Sequence, residues 1–468
     1  MNTDKFLCEA MILTLAGLMV KIIGSVNRIL LSRLLCGEGI GLYQMAYPVY
    51  LLLLSVSAVG VPVAISIIVA KKTAKNDHYS ARRIFRVSLV LMTTVGLALA
   101  LLLFSAAGWM INSGLIADSR VYYALIALTH AVFFSTVLAC FRSFLQGYKF
   151  MMPAAVSQIM EQFVRVSVMV ALAFYLLPKG LEYAAAGAAF GAVPEGLAGL
   201  AVLICFYFNY RERWPLKENI CGVSEESVFY VAKRLILIAL PVSCANILVP
   251  VTSSIDMFLV PNRLISSGIA VDEATTLFGY LAGMAQPLLM MATIPTLSLA
   301  ASLVPAMSES FALEDGERIE QKAATAMKLC CLVTLPAAAG MSVFAGPLSL
   351  LLYGTDKALV AIMHTGPAIW LLRMQQITTG ILQGIGRVSI PMINMLVGIA
   401  AKVAAVWVLT DAAHNIIDAA WATNINFAMA VGLNICVLYK CGICFRWRVI
   451  AQIAFAALFI GVVIIYGY

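Results

Sequence analysis

The sequence predicts an all-α, polytopic membrane protein with about thirteen transmembrane helices. Three observations predict it. The 468 residues are 62% hydrophobic and only 12% charged, more apolar than a soluble fold requires. Apolar runs such as 87–104 and 453–466 approach the ~20 residues that a helix needs to cross the hydrocarbon core, without the ~10-residue alternation of barrel strands. Basic residues crowd alternate loops, the bias that orients helical membrane proteins.

In order, the candidate spans are 10–33, 40–70, 84–110, 121–146, 153–177, 184–209, 230–260, 274–305, 322–352, 358–383, 389–410, 415–439 and 447–467. The first is read as a retained helix. The residues before it carry acids as well as Lys5, and no small-residue cleavage site follows it. The second, seventh and eighth spans are long and hold Pro48 and Pro62, Pro241 and Pro250, and Pro287 and Pro295, so they are expected to be kinked or broken. Gly187 and Gly191 in the sixth form a GxxxG whose expected role is close helix packing. A cytoplasmic N-terminus puts Lys71, Lys72, Lys75, Arg82, Arg83, Arg86, Arg142, Lys149, Arg318, Lys322, Arg387 and Lys440, among others, in inside loops. The opposite loops then keep only Arg33, Arg120, Lys179, Arg263 and Lys357.

The chain also repeats itself. Ala64-Ile65-Ser66-Ile67-Ile68-Val69-Ala70 resembles Ala300-Ala301-Ser302-Leu303-Val304-Pro305-Ala306, and Leu145-Gln146-Gly147 resembles Leu382-Gln383-Gly384. A cation follows each Gln at the same spacing (Arg165, Lys402), and Pro153 and Pro391 follow each Gly. Earlier in each half, the stretch around Asn27-Arg28 resembles that around Asp256-Met257. The expected organisation is an N-lobe over 1–212, a charged cytoplasmic linker over 213–229, a C-lobe over 230–440 and an extra C-terminal helix over 441–468. Six helices in each lobe give both the same orientation, with cargo expected between them near the bilayer midplane.

The candidate functional residues are cations at membrane depth: Lys21, Arg28, Arg165, Arg373 and Lys402. An intramembrane Lys or Arg costs roughly 2.5–3.5 kcal/mol on insertion scales and usually faces water or an anion. The set therefore points to transport of a negatively charged, membrane-associated substrate. Snorkelling toward headgroups is the alternative for Lys21 and Arg28, which share a face of the first helix. Glu161 stands four residues before Arg165, as a structural pair or as a gating group. Arg373 has no acid three or four residues away, and Lys402 none four residues before it. Asp256 is a candidate countercharge or ligand for a coupling ion (Na⁺ or H⁺). Glu195, after Pro194, is read either in that way or as the cap of a broken helix.

Other classes find little support. The net charge of +8 is spread over short loops, which argues against a nucleic-acid partner. The eleven cysteines lie mostly in apolar helices, as small core residues, and the Cys441/Cys444 CxxC has no second pair. No HExxH, phosphate-binding loop or GxSxG is present, so no enzyme, metal centre or cofactor is expected.

Several of these motifs also resemble a known family. They are Lys21-Ile22-Ile23-Gly24-Ser25-Val26-Asn27-Arg28, Ser32-Arg33-Leu34-Leu35, Gly41-Leu42-Tyr43-Gln44, Pro62-Val63-Ala64-Ile65-Ser66, Leu259-Val260-Pro261-Asn262-Arg263-Leu264, Glu273-Ala274-Thr275 and the twin Leu-Gln-Gly. Together they resemble the stage V sporulation protein B family. This is the polysaccharide-transporter branch of the multidrug/oligosaccharidyl-lipid/polysaccharide (MOP) superfamily, related to MurJ-type lipid II flippases and MATE exporters. The resemblance implies two six-helix lobes in a V around a cavity and alternating access. The implied cargo is a saccharide on polyprenyl pyrophosphate, a wall or polysaccharide precursor that includes lipid II. It also implies a bacterial plasma-membrane location and, as further partners, wall-synthesis enzymes. MurJ-type proteins carry Arg-x-x-Gly-x-x-Arg in the first helix. Here Lys21 and Gly24 match, and the second cation falls at Arg28, one place after Asn27. The competing readings are a cation-coupled drug exporter on the same fold and a non-transporting scaffold for wall synthesis.

Overall fold

The computed structural model describes residues 3–211, 227–410, 416–443, 452–453 and 455–456. The described residues are helical, with no strand among them, and eight of their helices are long and apolar enough to cross a membrane. Most of the expected linker and of the expected last span lies outside the described residues, as does Cys444 of the CxxC.

The first half of the chain forms α1 (Thr3–Ser57), α2 (Gly60–Thr73), α3 (His78–Asn112), α4 (Val121–Gly147), α5 (Met151–Leu176), α6 (Leu181–Phe190), α7 (Ala192–Arg211), α8 (Val228–Asn246) and α9 (Leu248–Ser266). The second half forms α10 (Val271–Phe278), α11 (Gln286–Ala292), α12 (Leu297–Ala312), α13 (Gly316–Val343), α14 (Ala345–Tyr353), α15 (Leu359–Thr365), α16 (Ala368–Gly384), α17 (Ser389–Leu409) and α18 (Ile416–Lys440). The three proline-rich spans are interrupted. The second breaks between α1 and α2, and the seventh at Ile247 between α8 and α9. The eighth passes through a π-helical stretch, Gly279–Ala285, and a 3₁₀ turn, Ile294–Thr296. A loop was expected between the first two spans. Instead α1 turns a corner at Cys36 (φ 55°, ψ −164°), backbone that non-glycine residues rarely adopt.

Two compact units result, 1–35 with 42–258 and 36–41 with 259–468. Thus α8 and the first half of α9, expected in the C-lobe, count with the first unit. The first unit is built on a core from α2, α3, α4, α7 and α8, including Ile65, Ile68, Phe85, Met92, Phe144, Leu145 and Leu235. Small residues let its helices approach. A side chain at Gly187 or Gly191 would press on α5 at Leu172 or Met169, so this GxxxG packs as expected.

The core of the second unit runs through α12, α13, α16 and α18, around Met307, Met327, Cys330, Met374, Ile381 and Leu438. Its own close approach brings Gly279 of the π-helical stretch against the Gly37 carbonyl, where a Cβ has no room.

The repeat extends to backbone conformation. Asn76 (φ 57°) precedes Asp77, whose carboxylate accepts from the Ser80 N–H at 3.0 Å and caps α3. Glu314 (φ 53°) precedes Asp315, which accepts from the Arg318 N–H at 2.9 Å and caps α13. Lys149 (φ 63°) and Gly386 (φ 81°) likewise follow the two Leu-Gln-Gly motifs, each ending its helix with a left-handed residue.

Candidate anion-binding site

In the first unit two arginine–glutamate pairs sit where α1, α4, α5 and α7 meet. The second arm of α1 presents Tyr43, Tyr47 and Tyr50 at spacings of four and three, one face of a helix. Tyr43 stacks on Tyr47 with ring centroids 5.4 Å apart, and Tyr47 lies 5.7 Å from Tyr50. The Arg165 guanidinium from α5 lies over the Tyr47 ring at 5.2 Å, and its Nη2 donates to the Tyr43 hydroxyl at 3.2 Å.

The sequence pairs Arg165 with Glu161 on its own helix, but the structure exchanges the partners. Glu161 is bound by Arg142 of α4, which also donates to Ser157 at 3.5 Å. Arg165 pairs with Glu195 at 3.3 Å. Gln162 Nε2 donates to the same carboxylate at 3.4 Å. Glu161 turns toward α4 and α7, where Gly199 leaves room for it. Pro194 and Glu195 enter the first turn of α7, a position that tolerates proline and favours an acid. Arg142, counted with the inside-loop charges, lies within the last turns of α4, the helix expected over 121–146 and observed over Val121–Gly147.

The other candidate residues of this unit lie apart from these pairs. Arg28 is half-buried and makes no ion pair among the described residues, though both it and Arg165 lie within electrostatic reach of Tyr43. Lys21 is exposed on the same helix. Asp256 is buried in α9, 5% exposed.

In the second unit, Arg373 of α16 is 3% exposed. Its Nη1 donates to the neutral Gln376 at 2.5 Å, its Nε is buried without a hydrogen-bond partner, and no carboxylate pairs with it among the described residues. Lys402 of α17 is 1% exposed. One turn before it, Gly398 abuts Asn426 of α18, whose amide is fully buried with no hydrogen-bond partner on either atom. Further along α17 and α18 runs a ladder of neutral groups. Asn394 Nδ2 donates to Asn434 Oδ1 at 2.8 Å, Asn434 Nδ2 donates to Thr378 at 3.0 Å and Thr379 at 3.3 Å, and Gln375 Nε2 donates to Thr379 at 3.2 Å. No cluster of three or more metal-ligating side chains occurs among the described residues.

Sequence reasoning missed Glu195 as the partner of Arg165, Arg142 as a membrane-depth cation and the tyrosine face. The last was visible as an aromatic stripe at helical spacing. Glu195 was visible as an acid inside an apolar run, by the rule that singled out the cations.

Multiple membrane-length helices, with cationic side chains buried among them, define a polytopic membrane protein, and comparison with known proteins agrees. Residues 6–311 match the model of the polysaccharide biosynthesis protein family, and residues 281–408 match the MatE model. The chain belongs to the polysaccharide biosynthesis protein family. It is 32% identical to stage V sporulation protein B of Bacillus subtilis (strain 168) over 87% of this chain and 78% of that protein. It is 26% identical to the lipid II flippase MurJ of the same organism over 86% of this chain and 76% of that one. Among solved structures, an inward-facing multidrug resistance MATE family transporter of the MOP superfamily superposes with a TM-score of 0.73, at 16% identity, over 92% of this chain and 95% of that one. The chain is therefore a multi-pass membrane protein of the polysaccharide biosynthesis protein family, with a fold like that of the MATE transporter.

Proposed function

We propose that this protein is a flippase for a polyprenyl-pyrophosphate-linked saccharide, a cell-wall or polysaccharide precursor, in the bacterial plasma membrane, with a cytoplasmic N-terminus and alternating access. The observation that carries this reading is Arg373. A buried guanidinium that has, among the described residues, a single neutral partner and an unpartnered Nε is a group awaiting an anion. Arg28, half-buried and outside any ion pair among the described residues, is a second such group. Lys21 and Arg165 add positive potential within the first unit, and Lys402 adds it within the second. The relatives support the cargo class, since one is named a lipid II flippase and the matched family is one of polysaccharide biosynthesis. The membrane potential is one source of energy, at about 2.3 kcal/mol per charge moved through 100 mV. An ion gradient acting through Asp256 is the other.

The drug-exporter reading calls for an uncompensated acid in the first unit. Glu161 and Glu195 are there, but each is held by an arginine, so the drug-exporter reading would rest on Asp256, also buried in this unit. The test is headgroup translocation in proteoliposomes with a defined polyprenyl-pyrophosphate saccharide. Lys21→Gln, Arg28→Gln, Arg373→Gln and Lys402→Gln are each expected to abolish it. Wild-type activity in all four variants would refute the site. Export of ethidium without headgroup translocation would favour the drug exporter.

A further inference from the structure

The two arginine–glutamate pairs of the first unit are not equivalent. Arg142 grips Glu161 directly and reaches Ser157 besides. Glu195 is held loosely. Its approaches to Arg165 are 3.3 Å and 3.5 Å, both through Nη1, and its contact with Gln162 is 3.4 Å. Arg165 does not depend on that carboxylate for its posture. Tyr43 takes Nη2, the Tyr47 ring lies beneath the guanidinium, and Nε is buried without a hydrogen-bond partner. A guanidinium oriented by neutral groups, with donors unused and an acid at the outer limit of contact, is arranged to change anions.

We propose that Glu195 is an exchangeable counter-ion, which occupies Arg165 while cargo is absent and yields it to the phosphate oxygens of a diphosphate ester. This deepens the flippase reading and rests on it. A partly buried arginine without an anion costs stability, and Glu195 spares Arg165 that cost while cargo is absent. The same carboxylate must be displaced when cargo binds, and that cost is subtracted from affinity, which keeps release possible. A phosphate presents oxygens to the guanidinium fork with better geometry than Glu195 achieves. The displaced carboxylate keeps Gln162 and remains within electrostatic reach of Arg142.

The experiment uses the full chain in nanodiscs, with farnesyl pyrophosphate as probe and farnesol as control. Wild type is expected to bind the pyrophosphate and not the alcohol, and Arg165→Gln to weaken that binding. Glu195→Gln is expected to tighten it about tenfold, equivalent to about 1.4 kcal/mol. It should also slow headgroup translocation, an opposite movement that loss of structure would not produce. Glu195→Asp keeps the charge at shorter reach and should bind about two- to threefold more tightly than wild type. If the Gln variant does not fold, as judged by thermal melting, the Asp variant carries the test. Unchanged or weaker binding in the folded Glu195 variants, with Arg165→Gln still impaired, overturns the exchange and leaves the flippase reading standing. Wild type that ignores the pyrophosphate, or Arg165→Gln that binds like wild type, overturns both the exchange and the role of Arg165 beneath it.

Discussion

The register that carries Leu145-Gln146-Gly147 onto Leu382-Gln383-Gly384 sets two regions of the molecule side by side, and they solve one problem differently. It carries Arg142 onto Thr379, Ser157 onto Asn394, Glu161 onto Gly398 and Arg165 onto Lys402. In the first unit these positions form ion pairs across α4, α5 and α7. In the second, the acid has become a glycine and the cross-helix bonds are made by the amides and hydroxyls of Asn394, Asn434, Thr378 and Thr379. The difference teaches which charges are committed to structure. Ion pairs tie helices together at the cost of neutralising their cations. A neutral ladder ties helices together without consuming charge, which leaves a buried arginine such as Arg373 able to meet an anion from outside the protein.

The comparison can be broken most directly at Arg142. Arg142→Gln leaves Glu161 buried without its partner and is expected to lower stability by about 3–5 kcal/mol, with most of it regained in the double variant Arg142→Gln/Glu161→Gln. Arg373→Gln strands no acid and removes an uncompensated buried charge, so its melting temperature should stay at or above wild type while headgroup translocation is lost. If the two variants melt alike, the division between structural and functional charge fails.

Next in size is the ladder. Asn434→Leu removes the hub between Asn394 and the two threonines and should cost about 1–3 kcal/mol, as for other buried groups left unsatisfied. The variant should soften the second unit selectively, which hydrogen exchange over α17 and α18 would reveal.

Gly398→Ala sharpens the contrast at the position that replaced Glu161. The added methyl meets the Asn426 backbone carbonyl at 2.6 Å and its side-chain oxygen at 2.7 Å, and overpacking of this kind costs about 1–3 kcal/mol. A neutral melting shift would show that α17 and α18 part more easily than their contact implies.

The smallest effect concerns the paired helix caps. Asp77→Ala is expected to cost about 1 kcal/mol through the lost cap on α3. Burial alone raises the Asp77 pKa, but the hydrogen bonds from Ser80 and the Lys72 ammonium 3.5 Å away outweigh it and hold the carboxyl below its usual range. The cap therefore contributes fully above the ordinary carboxylate pKa, and its contribution is lost as pH falls through the lower folded value. Melting of wild type and Asp77→Ala between pH 7 and pH 2 should converge at the acid end.

Much of this was legible in the chain. Composition and apolar run lengths determined an all-helical membrane protein, because lipid leaves no other economical way to satisfy the backbone at those lengths. Spacing alone exposed the internal repeat, the proline-rich spans that break and five cations inside apolar runs, of which the structure buries Arg373 and Lys402 and leaves Lys21 exposed. What only the tertiary structure decided was the pairing of those charges. Glu161 and Arg165 are neighbours on one helix, yet their side chains leave it in different directions and meet Arg142 and Glu195 on other helices. Helical spacing places two groups on a common face, but the adjoining helices choose which of them touch. Sequence can therefore reveal that buried cations exist, and only packing reveals which remain available to bind an anion.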